Sequence, residues 1–319
     1  MAEKKIIIVP RDILPVRIDI YLVQRGIGLS RSQIQRGIRE GRITVVGKGT
    51  KPNFILRGGE EIEVIMPEEE PLRAIPQDIP LNIVYEDDDI VVVDKPAGMV
   101  THPARGAWQG TLLNALLYRV KMLSNLGDPL RAGIVHRLDK DTSGLLLVAK
   151  KEEAHITLAR ALTARKIRRE YFALVWGHLP VSGTINAPIG RNPKDPTKMA
   201  VVERGKSAIT HYEVIKEYQF LTSVRLRLET GRTHQIRVHM WYIGHPVFGD
   251  PEYGGRDERI KGIHPSYRQF AKELLQLIQR QALHAQTLSF FHPTTGARME
   301  FTSPLPQDIQ AVLRRLETG

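Results

Sequence analysis

Residues 131–150 read RAGIVHRLDKDTSGLLLVAK. The run Leu145, Leu146, Leu147, Val148, Ala149 is apolar, short and free of Gly and Pro, which predicts a buried strand. Ahead of it lies a dense polar segment containing His136, Arg137, Asp139, Lys140, Asp141, Thr142, Ser143 and Gly144. A loop with that many charged and hydroxyl groups against a buried strand is where a scaffold presents chemistry. Asp139, Asp141 and Thr142 are also the residue types that cap turns through short bonds to backbone N–H groups. Composition alone favours the capping role.

The rest of the chain sets the context. Its 319 residues are enough for one large domain and a small one. Lys and Arg number 46 against 35 Asp and Glu, a formal charge of +11, which points to a polyanionic partner, nucleic acid before membrane. There is no cysteine, so disulfides, thiolate metal sites and cysteine nucleophiles are excluded. No stretch approaches the roughly 18 apolar residues of a membrane helix, and the opening MAEKK has no signal-peptide core, so a cytoplasmic protein without membrane contact is expected.

Residues 1–14 read as a tail with a short edge strand at 4–9, KKIIIV. From Arg17 onward, Ser30 is placed to cap a helix carrying Arg31, Arg36 and Arg39 that Gly41 ends. Two β runs follow, at Ile43–Val46 and Glu61–Met66, the second alternating Ile62, Val64 and Met66. Helix, helix and small sheet with clustered arginines resembles the αL (S4-like) RNA-binding module, over residues 15–66. One departure is Val46, where that module commonly has Asn before the glycine. Arg31, Arg36, Arg39 and Arg42 read either as a solvated face or as RNA phosphate contacts, and the net charge favours the latter. PEEEPLRAIPQDIP, residues 67–80, has the composition of a linker.

The second domain, residues 81–319, opens with strands at Leu81–Tyr85 and Ile90–Asp94. Thr111 caps a helix with Leu112, Leu113, Leu116, Leu117 and Val120 on one face, and Lys151–Lys166 is a second helix. Further β runs lie at 169–177, 211–215, 221–229, 283–291 and 298–302, with helices at 235–243, 265–281 and 306–316. Most neighbouring strands are joined by turns too short for a crossover helix. The fold class is therefore α+β, with a mixed, largely antiparallel sheet in the larger domain.

Two further polar segments stand out: REYFALVWG, with Tyr171, and LETGRTHQIRVHM, with Arg232, His234, Arg237 and His239. A Tyr on a strand is most often core, and an Arg on such a helix is most often a surface charge. His234 and His239 are not at metal-ligand helical spacing, so no metal is expected. HRLDKDTSG, REYFALVWG and GRTHQIRVH, in that order, resemble the signature of the pseudouridine synthases that modify ribosomal and transfer RNA, most of all the branch acting on large-subunit ribosomal RNA. The similarity extends to DKPAGMVTHP and GHPVFGDPEYGG and so covers nearly everything from Leu81.

By position, the resemblance implies Asp139 as the catalytic carboxylate, Tyr171 as the aromatic beside the target base and Arg237 as the aspartate's basic partner. His136, Arg137, Thr142, Arg232 and His234 are the implied substrate contacts, with ribosomal RNA or a large-subunit precursor as partner. Uridine becomes pseudouridine when C1′–N1 breaks, uracil rotates and C5 joins C1′, with only protons exchanged. That reaction demands no cofactor. Two other classes remain: a non-catalytic RNA-binding ribosome-assembly factor, and an RNA hydrolase with Asp139 as base, against which the lack of a second well-placed carboxylate weighs. Without a heptad pattern, a monomer is the expectation.

Overall fold

The computed structural model describes residues 4–66, 74–104 and 107–318. The chain divides into two compact units, Met1–Leu72 and Arg73–Gly319. Half of the stretch read as a linker, 67–73, lies outside the described residues, as do 1–3 of the N-terminal tail.

In the first unit the strand Lys4–Ile8 pairs antiparallel with Glu61–Ile65, which pairs in turn with Ile43–Val45. Helices Ile18–Gln24 and Arg31–Arg39 pack over this sheet, and Ile18, Leu22, Ile34, Ile38, Ile43, Ile62 and Val64 close the core. Ser30 forms a full capping box with Gln33, as its place before the arginine-bearing helix suggested. Val46 and Gly47 turn the chain with φ of 51° and 69°, a two-residue hairpin in which both central residues are left-handed. A β-branched side chain resists that conformation and Asn tolerates it, which is the physical reason Asn suits this place. Val46→Asn is expected to stabilise this unit by about 1 kcal/mol. Urea denaturation of the two proteins checks it, and an unchanged midpoint would refute the strain.

The second unit is built on a nine-stranded sheet in the order 182–186, 209–217, 221–228, 168–176, 283–291, 143–149, 90–95, 82–86, with 298–302 also paired to 283–291. All of its pairings are antiparallel except one, His284 and Ala285 beside Ser143 and Gly144. Gly144 makes that junction possible: its φ is 114° and a Cβ there would stand 2.2 Å from the Ala285 carbonyl oxygen. The strand Ser143–Ala149 is buried along its whole length because both faces are covered, which is why its sequence is uninterrupted Leu and Val rather than alternating. Leu146 and Val148 face the large core with helix Leu112–Arg119, and Leu145 and Leu147 face Leu158 of helix Glu152–Thr163.

Two expectations change. The helix expected at 265–281 is shorter, Arg268–Leu277, because Pro265–Tyr267 forms a 3₁₀ turn and Ile278 is already extended. The strands Ser182–Asn186, Ile189–Arg191 and Met199–Val201 were not anticipated, being too short and Gly-containing or flanked by polar residues to show a period.

Candidate active site

The loop ahead of Ser143 is held peptide by peptide from below. Thr101 Oγ1 donates to the Leu138 carbonyl at 2.8 Å and accepts from its N–H at 3.3 Å. Lys95 is completely buried, and its ammonium donates to the carbonyls of Pro96, Met99 and Lys140 at 2.8, 2.8 and 3.1 Å. Three acceptors match the three donors of an ammonium. Burial pushes Lys95 down to about 7, opposed by the Asp139 and Asp141 carboxylates. Arg280, gripped by Asp308 at 2.7 and 2.8 Å, donates to the Asp141 carbonyl at 3.0 Å. Inside the loop, the Thr142 N–H reaches the Asp139 carbonyl at 3.1 Å. With its backbone bound on every side, the loop presents the Asp139 side chain in one place.

That place is a narrow pocket, about 50 Å³, lined by Asp139, Tyr171, Arg137, Arg232, His234 and Arg237 among others. Arg237 Nη1 stands 3.4 Å from Asp139 Oδ2. Its firmer bonds go elsewhere: Nε to Asp250 Oδ2 at 2.7 Å, Nη2 to Asp250 Oδ1 at 2.9 Å and to Glu252 Oε2 at 2.5 Å. Its guanidinium also lies 4.9 Å from the Tyr253 ring centroid. Burial opposes the charge, but Asp250, Asp139 and Glu252 outweigh it and raise Arg237 above its ordinary value. Asp250 and Glu252, within the segment GHPVFGDPEYGG, have no visible link to Arg237 in sequence; the turn at 249–255 brings them there.

Tyr171 sits on strand Arg168–Trp176, beside an irregularity in its pairing with 283–291, and is buried. Burial raises its phenol above the ordinary value; Arg169 opposes this and Asp139 adds to it, so the hydroxyl keeps its proton at neutral pH. His234 caps helix Gln235–Tyr242 at φ 56°, its Nδ1 2.8 Å from the Tyr253 hydroxyl. Arg232 donates to the Ser207 carbonyl at 3.1 Å, and Arg137 is exposed at the pocket mouth with no ion pair among the described residues. Thr142 lines the pocket but is buried, its hydroxyl accepting from Gln281 Nε2 at 3.2 Å.

His136 is placed differently from a substrate contact in this pocket. Its Nε2 accepts the Leu147 N–H at 3.1 Å, tying the loop's start to the strand behind it. Burial, with Arg169 adding to it, holds the ring at about 3, so it is neutral in the folded chain. Its neutral form is favoured by folding, so its contribution is complete above pH ~6.5 and declines as acid protonates the unfolded chain, by up to about 1.4 kcal/mol per pH unit. His136→Gln, which keeps an acceptor but does not titrate, is expected to lose less stability between pH 7 and 4.5. Parallel denaturation curves for the two proteins would refute it.

In the first unit, Arg31 binds the buried Asp19 at 3.1 Å, and Arg36 binds Glu40 at 2.7 Å. Arg42 also pairs with Glu40, which leaves Arg39 as the one of the four without an ion pair among the described residues.

A carboxylate fixed on a buried-strand loop, a guanidinium against it, a buried phenol and a basic surround thus meet in one pocket suited to acid–base or nucleophilic chemistry on an anionic substrate. Residues 89–242 match the family model described as RNA pseudouridylate synthase, and residues 16–62 match the S4 domain. The chain is 48% identical to the "Ribosomal large subunit pseudouridine synthase D" of Pseudomonas aeruginosa, over 97% of this chain and 94% of that protein. It is 47% identical to the Escherichia coli K12 protein of the same name, over 92% and 88%. The solved structure of "Human RNA Pseudouridylate Synthase Domain Containing 1" superposes with a TM-score of 0.54 at 27% identity, covering 76% of this chain and 97% of that one. The chain belongs to the RNA pseudouridine synthase family and carries an N-terminal S4 domain; it is an isomerase. Among the described residues, no helix is long and apolar enough to cross a membrane.

Proposed function

We propose that this chain converts uridines of large-subunit ribosomal RNA, or its precursor, to pseudouridine, with Asp139 as the reacting carboxylate. The observation that carries the reading is the pocket itself, where Asp139, the Arg237 guanidinium and the Tyr171 ring converge. A stacked uracil cannot reach such a pocket, so the nucleotide is turned out of its helix. Arg137 and Arg232, both exposed, stand at the mouth through which the base enters.

Asp139 acts at the sugar, either adding to C1′ as nucleophile or taking the C2′ proton as base. Both routes break C1′–N1, let the uracil rotate, join C5 to C1′ and restore the carboxylate; the C5 proton leaves and N1 gains one. Arg237 holds the carboxylate in place. Tyr171 packs against the extruded base, Arg137 fills the space that base vacates, Thr142 forms part of the pocket wall, and Arg232 and His234 shape the rim. Arg31, Arg36, Arg39 and Arg42 of the S4 domain add phosphate contacts, Arg39 first because it has no ion pair among the described residues. The division of the chain at the 67–80 linker and action as a monomer complete the proposal.

Mapping pseudouridines across ribosomal RNA in cells with the wild-type chain or Asp139→Asn tests it. Specific sites vanishing from large-subunit RNA is the expected result; an unchanged map would overturn the reading. Tyr171→Phe is expected to bind RNA normally yet slow turnover about 100-fold, with cleavage completed and the final C5 proton loss delayed, because the protonated hydroxyl relays that proton, passing its own on as it takes the one from C5. Full turnover by Tyr171→Phe would leave the ring with packing alone.

A further inference from the structure

Beside the catalytic pocket, and sharing Arg137, Arg169, Gly231 and Arg232 with it, opens a cleft of about 540 Å³. Five arginines and two histidines line it against one carboxylate, Glu229. That carboxylate is already taken, by Arg165 and by His211 at 2.7 Å. The unusual member is Arg169. It is 7% exposed, and among the described residues its guanidinium meets no carboxylate and donates no hydrogen bond; Nε is wholly buried and unpartnered. It lies against Gly231, where even a Cβ would come within 3.2 Å of Nη1. A buried charge without a counter-ion is costly unless a ligand supplies one.

His102 and His136, which also line the cleft, each hold a buried Nδ1 without a hydrogen-bond partner among the described residues. Because His136 Nε2 accepts the Leu147 N–H, its proton sits on Nδ1, which is therefore a donor seeking an acceptor. Cationic and neutral donors around one cavity next to a site for an extruded nucleoside fit the oxygens of a phosphate ester.

We propose that this cleft is a phosphodiester subsite, in which Arg169, with His136 and His102, grips a backbone phosphate flanking the extruded uridine. The proposal rests on the reading of the chain as acting on RNA uridine. Turning a nucleotide out is a rotation about its backbone, and a fixed flanking phosphate gives that rotation its pivot.

The test is a binding cycle with the full chain and an RNA fragment containing a uridine that it converts. The fragment carries either normal linkages or an uncharged methylphosphonate on one side of the uridine. At the gripped linkage, the neutral RNA is expected to bind the wild-type chain about ten-fold more weakly, and Arg169→Gln to bind normal RNA about ten-fold more weakly. Together they should lose no more than either alone, and Arg169→Gln should flatten the slope of log affinity against log salt by about 0.7. Arg169→Lys should recover most of that slope. Losses that multiply at both linkages, or an unchanged slope, would overturn the subsite.

If circular dichroism shows Arg169→Gln unfolded, Arg232→Gln on the exposed rim goes through the same cycle and is judged by the same coupling. Inorganic phosphate separates the two sources of this chemistry. Its displacement by RNA supports a backbone phosphate; a phosphate site that RNA leaves occupied overturns it. A wild-type chain that converts no uridine at all would strike the function itself, whereas conversion with uncoupled linkages strikes only the subsite.

Discussion

Asp139→Asn should lower pseudouridine formation by about 10³-fold or more while leaving RNA affinity within about two-fold. The exchange is nearly isosteric and removes only the charge. The loop that carries it is fastened through the carbonyls of Leu138, Lys140 and Asp141 rather than through the Asp139 side chain, so its shape should survive. The side chain keeps partial solvent contact, so little stability depends on its charge. Single-turnover conversion of a radiolabelled RNA, set beside filter binding of the same RNA, reads both quantities. Retained turnover would mean that the carboxylate is not the reacting group. Lost binding would mean that it holds RNA instead.

Arg237→Met should cost about 3–5 kcal/mol of stability, more than its single long contact with Asp139 would suggest. The reason is Asp250, which is fully buried and takes two of Arg237's hydrogen bonds. Among the described residues, removing the guanidinium leaves that carboxylate with only the N–H groups of Glu252 and Tyr253, at 2.9 and 3.2 Å. Adding Asp250→Asn to Arg237→Met should recover part of the loss, because the stranded charge disappears with it. Urea denaturation of the three proteins measures this. A loss below about 1 kcal/mol for Arg237→Met would show that the acidic pair finds another partner.

What could be read from sequence divides along a physical line. Features written in neighbouring residues were legible: the Ser30 box with Gln33, the Thr111 cap, the uninterrupted apolar strand after Gly144 and the alternation around Val64. Asp139, Tyr171 and Arg237 were singled out by resemblance, since composition alone made them a turn cap, a core residue and a surface charge, and the fold brings the three to one pocket. What stayed hidden depends on long-range return of the chain. Lys95 looks like the end of a strand, and only the fold brings Lys140, 45 residues on, over its ammonium. Arg169 looks like the polar start of a strand, and nothing nearby reveals that it is buried without a partner. Asp250 and Glu252 are acidic residues in a Gly-rich turn until Arg237 is seen between them.

The parallel junction at Gly144 has a consequence for synthesis. Ser143 Oγ bonds His284 Nδ1 at 2.9 Å across 141 residues of chain, so the strand behind the reactive loop waits for one of the last strands to be made. Such distant pairing is slow to form. As the polypeptide leaves the ribosome, the S4 unit can be complete while the acid-bearing loop still lacks its neighbour. The first unit is thus complete in the emerging chain well before the pocket of the second, which can close only near the end of translation.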